Sequence, residues 1–210
     1  MKLILAGASG LVGRHVLALA LEDPRVEAVV APTRRALPGR HRKLLAPTVD
    51  FDRLPEDADW WRADAVVCAL GTTIRTAGSR AAFRQVDFGY PLAVARLAHR
   101  HGTPAYALNS AKGADPDSRI FYSRTKGELE RALLAIGFGS LTFVRPGLIG
   151  GDREEHRSGE RVAGIVLGAL RPVLPRGWRI NPAGKIARSL LEAAIAARPG
   201  VHAVESAALA

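Results

Sequence analysis

The sequence has a single cysteine, few aromatic residues and no long hydrophobic run. Cys68 is the one cysteine among 210 residues, and aromatic residues make up 6%. A lone cysteine excludes an intramolecular disulfide, and its place in the apolar run Ala65–Leu70 is typical of a small buried side chain. The first apolar run ends at Gly7, too early for a secretory signal, and no run approaches the roughly 18 residues of a membrane span. These absences predict a cytoplasmic protein with no membrane association.

Basic residues outnumber acidic ones, 30 to 20, which gives a formal net charge of +10. Such a charge raises the alternative of a nucleic-acid partner. Apart from clusters at residues 34–35 and 40–43, however, the arginines are spread along the chain, and no nucleic-acid-binding motif is recognisable. We therefore expect no nucleic-acid partner and interpret the excess charge as a basic surface that also attracts a phosphorylated ligand.

Apolar runs and helical patterns alternate through the first two thirds of the chain. The predicted strands are Leu3–Ala6, Val26–Ala31, Ala65–Leu70, Pro104–Leu108 and Leu141–Val144. The predicted helices between them are Leu11–Leu21, Ser79–His101 and Ser123–Ile136. Strands without polar alternation, separated by amphipathic helices, indicate a parallel sheet covered on both faces. We predict an α/β fold, a Rossmann-type doubly wound parallel sheet, formed by one domain that spans residues 1–210.

The pattern changes in the C-terminal third. A charged segment at residues 151–157 precedes a predicted apolar helix over Arg161–Leu170. A last helix is predicted to open at Asn181-Pro182, with Asn181 as its N-cap. In doubly wound folds the ligand lies beyond the carboxyl ends of the strands, so residues 147–185 are predicted to form a small segment that covers the substrate.

A glycine-rich turn joins the first predicted strand to the first predicted helix. Residues 7–13, Gly-Ala-Ser-Gly-Leu-Val-Gly, have the pattern G-x-x-G-x-x-G. Glycines here allow a tight turn and a close approach of the backbone to a pyrophosphate, while the helix N-terminus offers free N–H groups to the phosphates. We therefore predict dinucleotide binding by this turn; the alternative is a glycine turn used only for packing. The predicted contacts are Gly7, Ser9, Gly10, Leu11, Val12 and Gly13.

Two arginines follow the second predicted strand. An NAD-specific protein carries an acidic residue at this point, whereas this chain has Thr33-Arg34-Arg35. A guanidinium can pair with a 2′-phosphate through two hydrogen bonds and can stack on the adenine. The arginines therefore favour NADP(H) over NAD(H) as the cofactor. The alternative is that both side chains simply face solvent.

A serine, a tyrosine and a lysine have the spacing of a catalytic group. Tyr122 and Lys126 lie four residues apart, hence one above the other on a helix. Ser110 precedes Tyr122 by twelve residues and follows the strand Pro104–Leu108. A glycine turn, a serine at a strand end and Y-x-x-x-K on the next helix resemble the short-chain dehydrogenase/reductase superfamily. The alternative for Tyr122 and Lys126 is an ordinary surface pair.

Longer motifs narrow this resemblance. Residues 68–73, 110–114, 122–128 and 145–147 together resemble the Tat-interacting-protein type of atypical, epimerase/dehydratase-like short-chain dehydrogenase, and the resemblance spans nearly the whole chain. It implies a Rossmann core that binds NADP(H). Further cofactor contacts implied by the resemblance are Leu70, Gly71 and Thr72 towards the adenosine side, and Pro146 and Gly147 beside the nicotinamide.

The expected chemistry follows from these residue types. A phenol is a poor base near neutral pH, and a nearby ammonium group favours its phenolate form. Tyr122 is expected to pass a proton to or from a substrate oxygen, and Lys126 to promote this transfer and hold the nicotinamide ribose. Ser110 is expected to hydrogen-bond the carbonyl oxygen of a small-molecule substrate. Many relatives carry an asparagine on the preceding helix to complete a proton relay, whereas this chain has Asp87, which either substitutes for it or leaves the relay absent.

Three functions are consistent with these patterns. The leading prediction is an NADP(H)-dependent oxidoreductase acting on a carbonyl or alcohol. The others are a non-catalytic NADPH-binding regulator that acts through protein partners, and a nucleotide-sugar epimerase or dehydratase. No metal site is predicted, because His99 and His101 have no third ligand at a plausible spacing. Gly164 and Gly168 share one face of a predicted helix and would allow either close helix packing or the subunit contact of a homodimer.

Overall fold

A computed structural model describes residues 1–150 and 180–210, and a parallel sheet lies at its centre. The strands are β1 (Lys2–Ala6), β2 (Ala28–Val30), β3 (Leu44–Leu45), β4 (Ala65–Cys68), β5 (Ala105–Asn109), β6 (Ser140–Arg145), β7 (Ile149–Gly150), β8 (Asn181–Pro182) and β9 (Gly200–Glu205). The helices are α1 (Leu11–Glu22), α2 (Ile74–Ala77), α3 (Arg80–Arg84), α4 (Tyr90–Arg100), α5 (Phe121–Leu134) and α6 (Ala183–Ala196). Seven described strands form the parallel sheet in the order β3-β2-β1-β4-β5-β6-β9, while β7 pairs with β8. The predicted Rossmann-type fold is confirmed.

Helices cover both faces of the sheet, which explains why its strands are continuous apolar runs. Leu3 and Leu5 of β1 pack on the face covered by α1 and α6, whereas Ile4 and Ala6 pack on the face covered by α4 and α5. All four are fully buried. Since successive side chains of a strand point to opposite faces, a strand covered on both sides needs an apolar residue at every position.

The predicted helix Ser79–His101 is interrupted. Ser79 caps α3 by accepting a hydrogen bond from the backbone N–H of Ala82 at 3.1 Å. A π-helical turn, Gln85–Gly89, then separates α3 from α4. Such a turn inserts one extra residue into the helix and changes the direction of the side chains around it. It directs Asp87 into the protein, where only 1% of the residue is exposed.

The end of the chain differs from the prediction as well. Asn181 does not cap α6, because Pro182 occupies the N-cap position. The Asn181 side chain is instead buried, and its Oδ1 accepts hydrogen bonds from Gly147 N–H and Ser206 Oγ. Strand β9 was not predicted; it lies at the edge of the sheet, and Val201 on it is 55% exposed.

Part of the predicted substrate cover falls outside the described residues. The charged segment 151–157 and the helix Arg161–Leu170, with Gly164 and Gly168, are in this part, so the cover and the homodimer stay predictions. Within the described ranges, no helix has both the length and the apolar character needed to cross a membrane.

Candidate cofactor and active site

The strand order reverses between β1 and β4. Predicted cofactor residues follow the carboxyl end of each of these two strands. Ligands of doubly wound folds bind at such a reversal, outside the carboxyl ends of the strands. The glycine turn after β1 packs directly on the chain after β4. A Cβ atom on Gly7 would lie 2.7 Å from both the carbonyl carbon of Ala69 and the nitrogen of Leu70, and Gly7 has a φ of +93°. The fold itself therefore requires glycine at position 7.

The other two glycines of the turn differ from each other. A Cβ on Gly13 would lie 2.0 Å from the carbonyl oxygen of Gly7, so packing of α1 against the turn excludes a side chain. A Cβ on Gly10 would approach no described atom closer than Gly7 O at 3.4 Å, which is an ordinary contact. Gly10 is exposed, and its N–H donates to Gly7 O at 3.0 Å. The space that a side chain at position 10 would fill is therefore open for a ligand.

The N-terminus of α1 is suited to an anion. Its N-cap, Gly10, provides no side-chain hydrogen bond, and the first turn contains no acidic residue. The partial positive charge of the helix end therefore has no carboxylate close to it in the helix. This arrangement is the one that binds phosphate groups in dinucleotide-binding folds.

The glycines allow stability and ligand binding to be separated experimentally. We expect Gly13→Ala to lower the free energy of unfolding by about 3 kcal/mol, because the added carbon overlaps a backbone oxygen. Gly10→Ala is expected to change it by less than about 1 kcal/mol, yet to raise the Kd of NADPH by at least about tenfold, or about 1.4 kcal/mol. Urea unfolding and fluorescence titration measure the two effects. Unchanged NADPH binding by a folded Gly10→Ala variant would contradict a phosphate site at this turn.

Two buried polar atoms at the same edge of the sheet have no hydrogen-bond partner within residues 1–150 and 180–210. They are Thr33 Oγ1, which follows β2, and Asn109 Oδ1, at the end of β5. An unsatisfied buried polar group costs about 1–3 kcal/mol, so such an atom calls for a ligand or water. The hydroxyl and amide groups of a dinucleotide are suitable partners, and the residues present therefore fit this class of ligand. Sequence reasoning missed Asn109, although a polar residue ending a buried strand was a usable signal.

Arg34 and Arg35 follow the same edge, just beyond Thr33. Both side chains are exposed in the segment that joins β2 to β3. They are free to reach a ligand bound along the edge, and the structure equally permits the alternative in which they face solvent.

Lys126 lies in a buried ion pair. Its Nζ is 2.8 Å from Asp87 Oδ1, and the two side chains are 5% and 1% exposed. The second carboxylate oxygen of Asp87 accepts a hydrogen bond from Thr72 N–H at 2.8 Å. Burial lowers the pKa of the Lys126 ammonium group, but the negative charge of Asp87 and the interaction with Tyr122 outweigh this effect and raise it. Lys126 is therefore held as a cation beside the segment that follows β4.

Tyr122 and Gly71 border this ion pair. Tyr122 occupies the first turn of α5, one helical turn before Lys126; it is 38% exposed, and its ring centroid lies 5.8 Å from that of Phe83. A Cβ on Gly71 would lie 3.4 Å from Asp87 Oδ1 and 3.8 Å from Lys126 Nζ. The structure thus brings the predicted Tyr122-Lys126 pair to the end of β4, where predicted cofactor residues Leu70, Gly71 and Thr72 are located.

Ser110 belongs to a second buried network. Its hydroxyl donates to Glu130 Oε1 at 2.5 Å, and Ser110 and Glu130 are 4% and 5% exposed. The Glu130 carboxylate also accepts two hydrogen bonds from the Arg145 guanidinium, at 2.5 and 3.0 Å. Arg145 in turn reaches Glu205 on β9 at 2.9 Å. The only hydroxyl proton of Ser110 is therefore used within the protein, and donation to a substrate oxygen would require this bond to break.

Pro146 and Gly147 also make contacts inside the protein. The carbonyl oxygen of Pro146 accepts a hydrogen bond from Lys112 N–H at 2.7 Å. The N–H of Gly147 donates to Asn181 Oδ1, also at 2.7 Å. These bonds fix the chain directly after β6. A contact of either residue with a nicotinamide stays a prediction.

Comparison with known proteins places the chain among curated relatives of similar length. It is 31% identical over 214 residues to "Protein FMP52, mitochondrial" of Coccidioides immitis, a match that covers 94% of this chain and 87% of the relative. It is 33% identical over 194 residues to "Protein HTATIP2" of Rattus norvegicus, covering 90% and 79%. No family model matches the sequence.

Solved structures share the fold at lower identity. An oxidoreductase of the short-chain dehydrogenase/reductase family from Burkholderia thailandensis has a TM-score of 0.71 at 22% identity, covering 99% of this chain and 92% of its own. The structure titled "MoeE5 in complex with UDP-glucose and NAD" has a TM-score of 0.72 at 17% identity, covering 97% and 75%. At these identities the likeness shows the fold, which is that of NAD-binding dehydrogenases and epimerases.

The relatives contradict the predicted cytoplasmic location. Fungal relatives from Coccidioides immitis, Emericella nidulans and Aspergillus clavatus carry "mitochondrial" in their names. The prediction was wrong because it tested only for an apolar secretory signal and a membrane span. Mitochondrial import depends on amphipathic, arginine-rich segments, which neither test detects.

Proposed function

Because the chain belongs to the atypical short-chain dehydrogenase/reductase family that includes FMP52 and HTATIP2, we propose that it is an NADP(H)-dependent oxidoreductase. Its substrate is a small carbonyl compound or the corresponding alcohol. The observation that carries the proposal is the position of Lys126, whose ammonium group lies beside Gly71 at the end of β4, one helical turn from the exposed Tyr122. The two residues proposed to transfer a proton therefore lie near the edge of the sheet at which doubly wound folds bind dinucleotides.

The glycine turn and the two arginines would hold the cofactor. The N–H groups in the first turn of α1, beside the open space at Gly10, would bind the pyrophosphate, and Arg34 and Arg35 would bind the 2′-phosphate. Lys126 would bind the nicotinamide ribose, and Asn109 Oδ1 offers an acceptor that has no hydrogen-bond partner among the described residues. NADPH, when bound, supplies a hydride to the carbonyl carbon of the substrate.

Tyr122 then supplies the proton that completes an alcohol. As the hydride reaches the carbonyl carbon, the carbonyl oxygen gains negative charge and takes the phenolic proton. The Lys126 ammonium group stabilises the phenolate that remains. In the reverse direction the phenolate accepts the proton of an alcohol. Because Tyr122 is partly exposed, its hydroxyl can reach a substrate that enters from solvent.

The cofactor preference is tested by removing both arginines. We expect NADPH to bind more tightly than NADH, and the double variant Arg34→Ala, Arg35→Ala to lose about tenfold to a hundredfold in NADPH affinity because charge-assisted bonds to the 2′-phosphate are lost. The NADH affinity is expected to change by less than about threefold. Fluorescence titration with each nucleotide measures both constants.

A matched control removes the same charge elsewhere. Arg62 precedes β4, Arg131 lies in the last turn of α5, and both are exposed, so the Arg62→Ala, Arg131→Ala variant should bind NADPH like the parent. Equal affinities of the parent for NADPH and NADH would contradict the NADP(H) preference. Equal losses in both double variants would assign the effect to net charge rather than to the two arginines.

One observation favours a second candidate, a non-catalytic NADPH-binding regulator that acts through protein partners. The Ser110 hydroxyl is bonded to Glu130 and does not complete the expected catalytic group. Turnover separates the two candidates, since a regulator would bind NADPH and consume none with a panel of aldehydes, ketones and quinones. Its affinity for a partner should then differ between NADPH and NADP⁺.

A further inference from the structure

We propose that Asp87 is a positioning residue that acts as the counter-ion of Lys126 and thereby sets the pH at which Tyr122 forms its phenolate. The relevance to catalysis rests on the proposed function, because that function makes Tyr122 the proton donor. The electrostatic effect itself requires neither cofactor nor substrate. Asp87 would then do more than replace a relay residue: it would set how much positive charge Lys126 presents to the phenol.

Both oxygens of the Asp87 carboxylate are used. One accepts from Lys126 Nζ and the other from Thr72 N–H, each at 2.8 Å. The carboxylate therefore connects α5 to the segment after β4, and Gly71 lies against the junction. Because Asp87 is 1% exposed, water screens little of its charge. The position depends on the π-helical turn Gln85–Gly89, which directs Asp87 inward.

The charges around Lys126 indicate the direction of the effect. Among the residues that the structure describes, the titratable groups that interact with its ammonium are Asp87 on the π-helical turn, Tyr122 on α5 and Cys68 on β4. Burial raises the pKa of the Cys68 thiol, so Cys68 is neutral near physiological pH. Asp87 is then the one full negative charge among these groups. It offsets part of the positive charge of Lys126 that would otherwise stabilise a phenolate at Tyr122.

A purely structural role for Asp87 has different consequences. If Asp87 only held Lys126 and Thr72 in place, Asp87→Asn would lower turnover by the same factor at every pH. If Asp87 acts through its charge, the variant leaves Lys126 without a counter-ion, and the phenolate forms at lower pH. The asparagine side chain of this variant has nearly the same shape and can still accept a hydrogen bond from Thr72 N–H.

The test follows the ultraviolet absorbance of tyrosinate during a pH titration of the protein without cofactor. The chain has three tyrosines, and burial raises the pKa of both Tyr90 and Tyr106. Subtracting the titration of Tyr122→Phe isolates the Tyr122 signal. In Asp87→Asn this signal is expected to move about one pH unit lower than in the parent. The alkaline limb of the pH–rate profile should move in the same direction.

Two further variants keep the test decisive. Glu128→Gln removes a negative charge from the same helix, where Glu128 pairs with Arg84, and should leave the Tyr122 signal in place. The double variant Asp87→Asn, Lys126→Gln removes both charges, so it folds without an unpaired buried ion and should form tyrosinate at or above the parent pH. The proposal is overturned if Asp87→Asn leaves the signal unmoved or raises its pH, or if the double variant titrates below the parent. Since no cofactor is present, absence of turnover would count against the proposed function alone.

Discussion

Replacement of Tyr122 by Phe is expected to lower NADPH consumption by at least about a hundredfold, because positioned proton transfer contributes about 10²- to 10⁴-fold to such reactions. The carbonyl oxygen would then have to take its proton from water while the hydride is transferred. The loss should appear in kcat, since the phenol acts on the transition state, whereas KM should change little. Initial rates with any aldehyde, ketone or quinone that the parent reduces measure the effect.

The substitution is mild in every other respect. Phe retains the ring of Tyr122 and so its contact with Phe83. We expect Tm to shift by no more than about 2 °C and the Kd of NADPH to change by less than about threefold. The matched control is Tyr90→Phe on α4, which removes a hydroxyl that donates to Asp52 at 3.1 Å. If Tyr122→Phe turns over as fast as Tyr90→Phe, Tyr122 is not the proton donor.

The parts of the site that could be predicted from sequence depend on short-range patterns. The turn at residues 7–13 is identified by glycine spacing and by the apolar strand before it, both of which are local. The Tyr122-Lys126 pair follows from helical periodicity, which places residues four apart on one face. The order of the strands then brings both features to the same edge of the sheet, because parallel strands have all their carboxyl ends together.

The hydrogen-bond and ion-pair partners of the predicted catalytic residues could not be predicted from local patterns, because they depend on contacts between distant segments. Asp87 meets Lys126 only because a π-helical turn redirects it, and no periodicity indicates such a turn. Ser110 meets Glu130 across 20 residues of sequence. Asn181 is a residue type that favours the N-cap position, yet its side-chain amide oxygen accepts hydrogen bonds from Gly147 N–H and Ser206 Oγ. In each case a buried polar group found a partner that local patterns do not show.

Losing such a partner should also lower the stability of the protein at Glu130. We expect Glu130→Ala to lower the free energy of unfolding by about 3 kcal/mol, the lower end of the range for breaking a buried ion pair. Arg145 would lose two hydrogen bonds and the buried Ser110 hydroxyl would lose its acceptor. The value lies at the lower end because Arg145 keeps its bond to Glu205. Urea unfolding of the parent and the variant measures the difference.

The outer half of the same network supplies the control. The Glu205 side chain is 56% exposed and forms an ion pair with Arg145, the same arginine that pairs with Glu130. Glu205→Ala therefore removes an equal charge from a solvated position. Exposed ion pairs contribute about 0–1 kcal/mol to stability, so the free energy of unfolding of this variant is expected to lie within about 0.5 kcal/mol of the parent value. The free energy of unfolding of Glu130→Gln should lie between those of Glu130→Ala and Glu205→Ala, because the glutamine amide oxygen can still accept a hydrogen bond from Ser110 or Arg145. Equal stabilities of Glu130→Ala and Glu205→Ala would mean that burial does not strengthen the inner pair.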